Sequence, residues 1–173
     1  MEKQTKTYLV IGAIALFLIL LPMTSSAAEN LIKGFEGKYL NSYDDGTGKF
    51  TIGYGSIYNY DEKRPVKKGD VITEAKAIEW LRKEMSSVVA DIKKVVKVPI
   101  NQNQLDSLTS FTYNLGIGNL QSSTLLKLLN AGADKKIVAN QFQYWNKARI
   151  NGVLTVMAGL TKRRAAEAEL FVK

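Results

Sequence analysis

No cysteine occurs among the 173 residues, so neither a disulfide framework nor a thiolate metal site can form. Histidine is absent too. That excludes Ser-His-Asp and Cys-His catalysis and leaves any zinc site with carboxylates alone, so no metal is expected. Acid–base chemistry therefore falls to Asp, Glu, Lys, Tyr or water. The chain has no internal repeat and no low-complexity tract. It has no RNP-like or zinc-finger pattern and no Lys/Arg-aromatic interleaving, so nucleic acid is not an expected partner.

What is present suits one globular domain with a targeting segment: 46% of residues are hydrophobic and 23% charged. The net charge of +8 fits a polyanionic partner or solubility alone. The clearest change of composition lies at the start. Lys3 and Lys6 precede an apolar run from Tyr8 to Met23, and the small residues Thr24, Ser25, Ser26, Ala27 and Ala28 follow. Basic, apolar, then small is the order of a secretory signal, with Ala28 as the expected cleavage point. As a helix the run spans roughly 24 Å against about 30 Å of hydrocarbon, so a retained signal-anchor is the alternative. Either way residues 1–28 direct export, with the basic start left inside, and residues 8–23 touch the membrane. Residues 29–173 then act in the periplasm or beyond, or while tethered to the inner membrane.

The remaining chain reads as α+β. Leu31, Ile32 and Phe35 recur at helical spacing, and this first helix is expected to end near Tyr39. Residues 41–60, punctuated by Gly46, Gly48, Gly53 and Gly55, predict a hairpin or three-stranded meander. Thr73 caps a long helix whose apolar face carries Ile78, Leu81, Met85, Val88, Val89, Ile92 and Val96, and Pro99 stops it. Leu105 to Leu115, closed by Gly116, predict the next helix. Ser123 starts a short one, Asp134 caps another running through Trp145, and Thr161 opens the last. A small hairpin lobe thus joins a larger helical lobe through a long helix.

One stretch combines these features with chemistry: GFEGKYLNSYDDGTGKFTIGYG, Gly34 to Gly55. Glu36 stands near a helix end, Asp45 in a turn, and Thr51 at the start of a strand. A helix end facing a hairpin can gather them into one cleft, and two carboxylates flanking a bond are what glycoside hydrolysis requires. Turn chemistry alone also accounts for Asp44-Asp45-Gly46.

The stretch resembles the catalytic segment of the phage-type, T4-like lysozymes of glycoside hydrolase family 24. Glu36, Gly37, Leu40, Tyr43, Asp45, Gly48, Thr51, Ile52, Gly53, Tyr54 and Gly55 fall in register with the pattern E-G-x-x-L-x-x-Y-x-D-x-x-G-x-x-T-I-G-Y-G. NQNQLDSLTSFTYNLGIGNLQSSTLLKLLN is similar to the family's central helices, and GLTKRRAAEAELF to its closing helix. The likeness covers about residues 29–173.

The resemblance implies a two-lobed fold and cleavage of peptidoglycan between N-acetylmuramic acid and N-acetylglucosamine, with inversion. Glu36 would be the general acid, Asp45 would position water or stabilise charge on the sugar, and Thr51 would orient that water. Ile57, Tyr113 and Thr124 match substrate-binding positions, and core packing is an equal reading for Tyr113. Arg163, rather than Arg164, matches the arginine brought to the glutamate. No cofactor is implied, and a monomer is expected. The competing readings are a glycan-binding module that does not cut and a holin-like membrane protein. Glu36 speaks against the first, and the length of chain after the apolar run against the second.

Overall fold

The computed structural model describes residues 25–46 and 48–173. The apolar run of residues 8–23, with the export reading placed on it, lies outside the described residues. Among those described, no helix is long and apolar enough to cross a membrane.

Helix α1, Ser26–Glu36, begins inside the small-residue stretch. The Ser25 hydroxyl oxygen accepts from the N–H groups of Ala27 and Ala28, which satisfies two of the otherwise unpaired donors of the first turn. The same hydroxyl donates to the Asp106 carboxylate. Ala28 and Ile32 are buried. A cut after Ala28 would therefore fall within α1. The helix ends at Glu36 rather than near Tyr39, because Gly37 takes a φ of +73° and turns the chain out. Tyr39 already belongs to the first strand.

That strand, β1 (Tyr39–Asp44), pairs antiparallel with β2 (Phe50–Gly53); Tyr43 lies opposite Thr51 and Asp44 opposite Phe50. Two short strands, β3 (Tyr58–Asn59) and β4 (Arg64–Pro65), make a second ladder. Helix α2, Glu74–Val95, starts at the Thr73 cap as expected, with the Thr73 hydroxyl accepting from Lys76 N–H. Its apolar stripe packs Ala77, Leu81 and Met85 against Ala28, Ile32 and Tyr54. Trp80 packs with Ile52 and Val66 under the hairpin.

The helical lobe contains α3 (Gln102–Leu115), α4 (Ile117–Ser122), α5 (Thr124–Asn130), α6 (Lys135–Ala139) and α7 (Ala158–Val172). Asn101 and Gln104 form a reciprocal capping box at the start of α3. Phe111 is fully buried, with edge contacts to Phe142 at 5.4 Å and Trp145 at 5.6 Å.

Two further stretches depart from the sequence reading. The single helix from Asp134 to Trp145 is instead α6 and a separate 3-10 turn, Phe142–Trp145. Strands β5 (Lys147–Ile150) and β6 (Val153–Val156) then form a hairpin before α7, which begins three residues earlier than Thr161.

Candidate active site

Glu36 is the last residue of α1, with 22% of its side chain exposed. Arg163 of α7 donates through Nη1 to Glu36 Oε1 at 2.6 Å. The guanidinium is buried and held on three sides. Its Nε donates to Glu167 Oε1 at 3.2 Å, its Nη2 to the Ser110 carbonyl at 3.2 Å, and Phe35 lies over it at 5.6 Å. Glu167 has no exposed surface; it also accepts from Ser110 Oγ at 2.7 Å and Arg164 Nη2 at 2.9 Å. Residues 163 and 167 stand one helical turn apart, which brings their side chains together. Arg164, the other candidate, turns to Asn114 and Glu167 instead. Burial lowers Arg164 to about 10. Burial likewise pushes the Glu167 carboxyl up from the ordinary glutamate range, against the pull of Arg164, Ser110 and Arg163.

The second oxygen of Glu36 faces the hairpin. A Cβ at Gly55 would stand 3.3 Å from Oε2, and Gly55 has a φ of +97°. Glycine is required there both for backbone freedom and for the close approach. Oε1 is therefore taken by Arg163, while Oε2 lies against the arch that carries Gly55.

On the hairpin, alternation decides which aspartate shares a face with Thr51. Tyr43 lies opposite Thr51, and Asp45, two residues on, returns to the same side. The backbone N–H of Asp45 donates to Lys49 O at 3.1 Å, which extends the pairing. Asp44 points the other way, and its Oδ1 accepts from Gly46 N–H at 2.9 Å, an Asx turn. Thr51 is buried. The Tyr43 phenol is raised above its usual range by burial first, then by Tyr39, Glu36 and Asp45.

A cavity of about 410 Å³ opens at Glu36, lined by Phe35, Asn114, Ala148, Met157 and Arg163 among others. The residues expected to bind substrate do not line it. Ile57 borders a separate cavity of about 400 Å³ under the hairpin lobe, with Phe50, Tyr58 and Val66. Thr124 borders another of about 320 Å³, with Gln141, Tyr144 and Trp145. Tyr113 is largely buried, and its hydroxyl lies 2.8 Å from Tyr54 O and 2.7 Å from Glu84 Oε2. A larger cavity of about 700 Å³, between α6 and α7, lies away from Glu36. No group of acidic side chains able to hold a metal ion occurs among the described residues.

Three contributors were not singled out from sequence. Glu167 sits in the recognised closing motif but carried no stated role. Ala148 lies on the unexpected β5–β6 hairpin, whose signal was Asn151-Gly152 between Ile150 and Val153, with φ of 49° and 82°. Glu84 interrupts the apolar face of α2 between Leu81 and Val88, and a charge on such a stripe is itself a signal.

Small antiparallel hairpins on a helical body, with a helix-end carboxyl paired to a buried arginine, fit the lysozyme-like fold. Residues 33–167 match the family model described as Phage lysozyme. The chain is 41% identical over 141 residues to an endolysin of Acyrthosiphon pisum secondary endosymbiont phage 1, covering 82% of this chain and 92% of the relative. It is 30% identical over 159 residues to the SAR-endolysin of Enterobacteria phage P21, covering 92% and 87%. The solved endolysin of Escherichia coli O157:H7 phage FAHEc1 superposes with a TM-score of 0.79 at 40% identity, covering 86% and 92%. The chain belongs to the phage lysozyme family, and it is a peptidoglycan-degrading glycosidase of the endolysin type.

Proposed function

We propose that Glu36 is the general acid of this peptidoglycan cleavage, with Asp45 and Thr51 serving the attacking water. The observation that carries the reading is the division of labour at Glu36: Arg163 occupies Oε1, and Oε2 is left beside Gly55 at the cleft. The proton passes from Oε2 to the glycosidic oxygen between N-acetylmuramic acid and N-acetylglucosamine. The guanidinium then faces the carboxylate that remains, which stabilises the charge as it develops. Asp45 directs water, or steadies positive charge on the ring, from the hairpin side. Thr51 orients that water. Attack from the face opposite the leaving group inverts the anomeric centre. Ile57 and Thr124, at separate cavities, serve longer stretches of glycan, whereas Tyr113, its hydroxyl held by Tyr54 O and Glu84, supports the site from within.

Asp45→Asn is expected to lower cell-wall clearing by about 10²-fold or more, whereas Asp44→Asn stays within about threefold, because Asp44 only closes a turn. Turbidity assays on purified walls decide this. Equal losses, or the reverse order, would move the site by one residue.

The domain works outside the cytoplasmic membrane, and residues 8–23 carry it there. The kinship with the SAR-endolysin of phage P21 and the packing of Ser25 and Ala28 both favour retention of the segment over the cleavage expected after Ala28. A chain beginning at Glu29 would lack the cap, worth about 1 kcal/mol, and the buried Ala28. Intact mass of exported protein is expected to show Ser25–Ala28 still attached. A chain starting at Glu29, with an unchanged thermal midpoint, would refute this.

A further inference from the structure

Glu84 of α2 turns its carboxyl toward hydroxyls from two other parts of the fold. Ser56 Oγ lies 2.6 Å from Oε1, Tyr60 Oη 3.3 Å from Oε1, and Tyr113 Oη 2.7 Å from Oε2. Two of these hydroxyls also reach backbone carbonyls: Ser56 Oγ is 2.9 Å from Tyr58 O, and Tyr113 Oη is 2.8 Å from Tyr54 O. Five oxygen–oxygen contacts at hydrogen-bonding distance must therefore be served by three hydroxyl hydrogens. A proton on Glu84 Oε2 supplies a fourth. It goes to Tyr113 Oη, which is then free to donate to Tyr54 O. Without that proton, the carboxylate claims the Tyr113 hydrogen and Tyr54 O loses its donor.

The contacts converge on one short segment. Tyr54, Gly55 and Ser56 form an arch closed by reciprocal bonds between Ile52 and Ser56, at 2.9 and 3.0 Å. Glu84 holds Ser56 directly and reaches Tyr54 O through Tyr113. Gly55, between these two anchor points, is the residue that stands against Glu36 Oε2.

We infer that Glu84 is a positioning residue for this reaction: as the neutral acid it grips both ends of the Tyr54–Gly55–Ser56 arch and so sets how Gly55 stands against the Glu36 carboxyl. This rests on the catalytic reading of Glu36. Ionisation of Glu84 releases the Tyr54 end and loosens the wall behind the acid. Burial raises Glu84 from the ordinary glutamate range, and Glu36 adds to the rise, while the bonds from Ser56, Tyr113 and Tyr60 oppose it. The other charges near this cluster are Lys33 of α1, over the Tyr54 ring at 5.4 Å, and Lys83 of α2, over the Tyr60 ring at 4.4 Å. Among the described residues neither forms an ion pair with Glu84.

The sign of the pH effect follows from the raised value. Folded protein keeps a proton that the unfolded chain releases, so the stabilisation is complete below the unfolded glutamate pKa and is lost as pH rises through the folded one. Glu84→Gln mimics the neutral acid at every pH, since the amide donates to Tyr113 and accepts from Ser56.

The test compares the full chain, Glu84→Gln and Tyr113→Phe by rates of peptidoglycan clearing and by thermal midpoints across pH. The ratio of Glu84→Gln to wild-type rate is expected to rise about fivefold or more between about pH 5 and about pH 8. The thermal midpoint of Glu84→Gln should gain on wild type over the same range. Tyr113→Phe keeps the ring but severs the link to Tyr54 O, so it is expected to be slow at low pH and to lack the wild-type decline. Superimposable profiles for Glu84→Gln and wild type overturn the proposal, as does a loss by the same factor at every pH. If Glu36→Gln retains activity, the acid assignment fails instead, and the pH trend in the thermal midpoints still tests the protonation of Glu84.

Discussion

Glu36→Gln is expected to reduce peptidoglycan clearing by about 10²–10⁴-fold, the range that general acid–base catalysis contributes. The amide oxygen can still accept from the charged Arg163 Nη1, so this contact between α1 and α7 is kept. On the proposed reading, what disappears is the proton that Oε2, beside Gly55, hands to the glycosidic oxygen. The variant therefore separates folding from chemistry. Its far-UV spectrum and cooperative unfolding should match wild type while clearing collapses. A folded variant within about threefold of wild type would remove Glu36 from the acid role.

The largest stability effect should come from Glu167→Ala. Glu167 has no exposed surface and is the shared carboxylate of Arg163 and Arg164, themselves buried. Removing it leaves two guanidinium groups in a dry interior with one acceptor fewer each. Breaking a buried pair in this way costs about 3–5 kcal/mol. In a domain of this size that lowers the thermal midpoint by roughly 10 °C. Activity should fall further than stability explains, since Arg163 loses the bond that aims it at Glu36. Calorimetry at neutral pH checks the first claim. A loss below about 1 kcal/mol would mean that the cluster is solvated and does not hold Arg163.

Much of this architecture could be read from the residues because local signals and tertiary packing agree. Thr73 and the Leu81, Met85, Val89, Ile92 stripe specify α2, and burial then falls on those same residues. Glu36 at a helix end, and Asp45 on the Thr51 side of the hairpin, follow from the motif and its register. Arg163 came through likeness to the closing helix, since nothing local tells residue 163 from residue 164. The misses have physical causes. Gly37 ends α1 by taking a positive φ, which outweighs the apolar spacing that ran toward Tyr39. The small residues up to Ala28 suit a peptidase, and Ser25 and Ala28 equally suit a helix cap and a tight core contact, so local sequence does not choose between cleavage and retention. Asn151-Gly152 signalled a hairpin, but its strands expose Ile150, Val153, Leu154 and Val156, so no clean alternation marked it. Ser56, Glu84 and Tyr113 meet only because three separated segments converge, which no local pattern encodes.

The central claim is that Glu36 protonates the glycosidic oxygen while water, directed by Asp45 and Thr51, attacks the muramic acid carbon. Mass analysis of products from purified peptidoglycan tests it most directly. Wild-type enzyme in ¹⁸O-labelled water is expected to release muropeptides ending in reducing N-acetylmuramic acid with the label incorporated, and Glu36→Gln is expected to release none. Products ending in an anhydro ring without label, or the same labelled products from Glu36→Gln, would contradict the account.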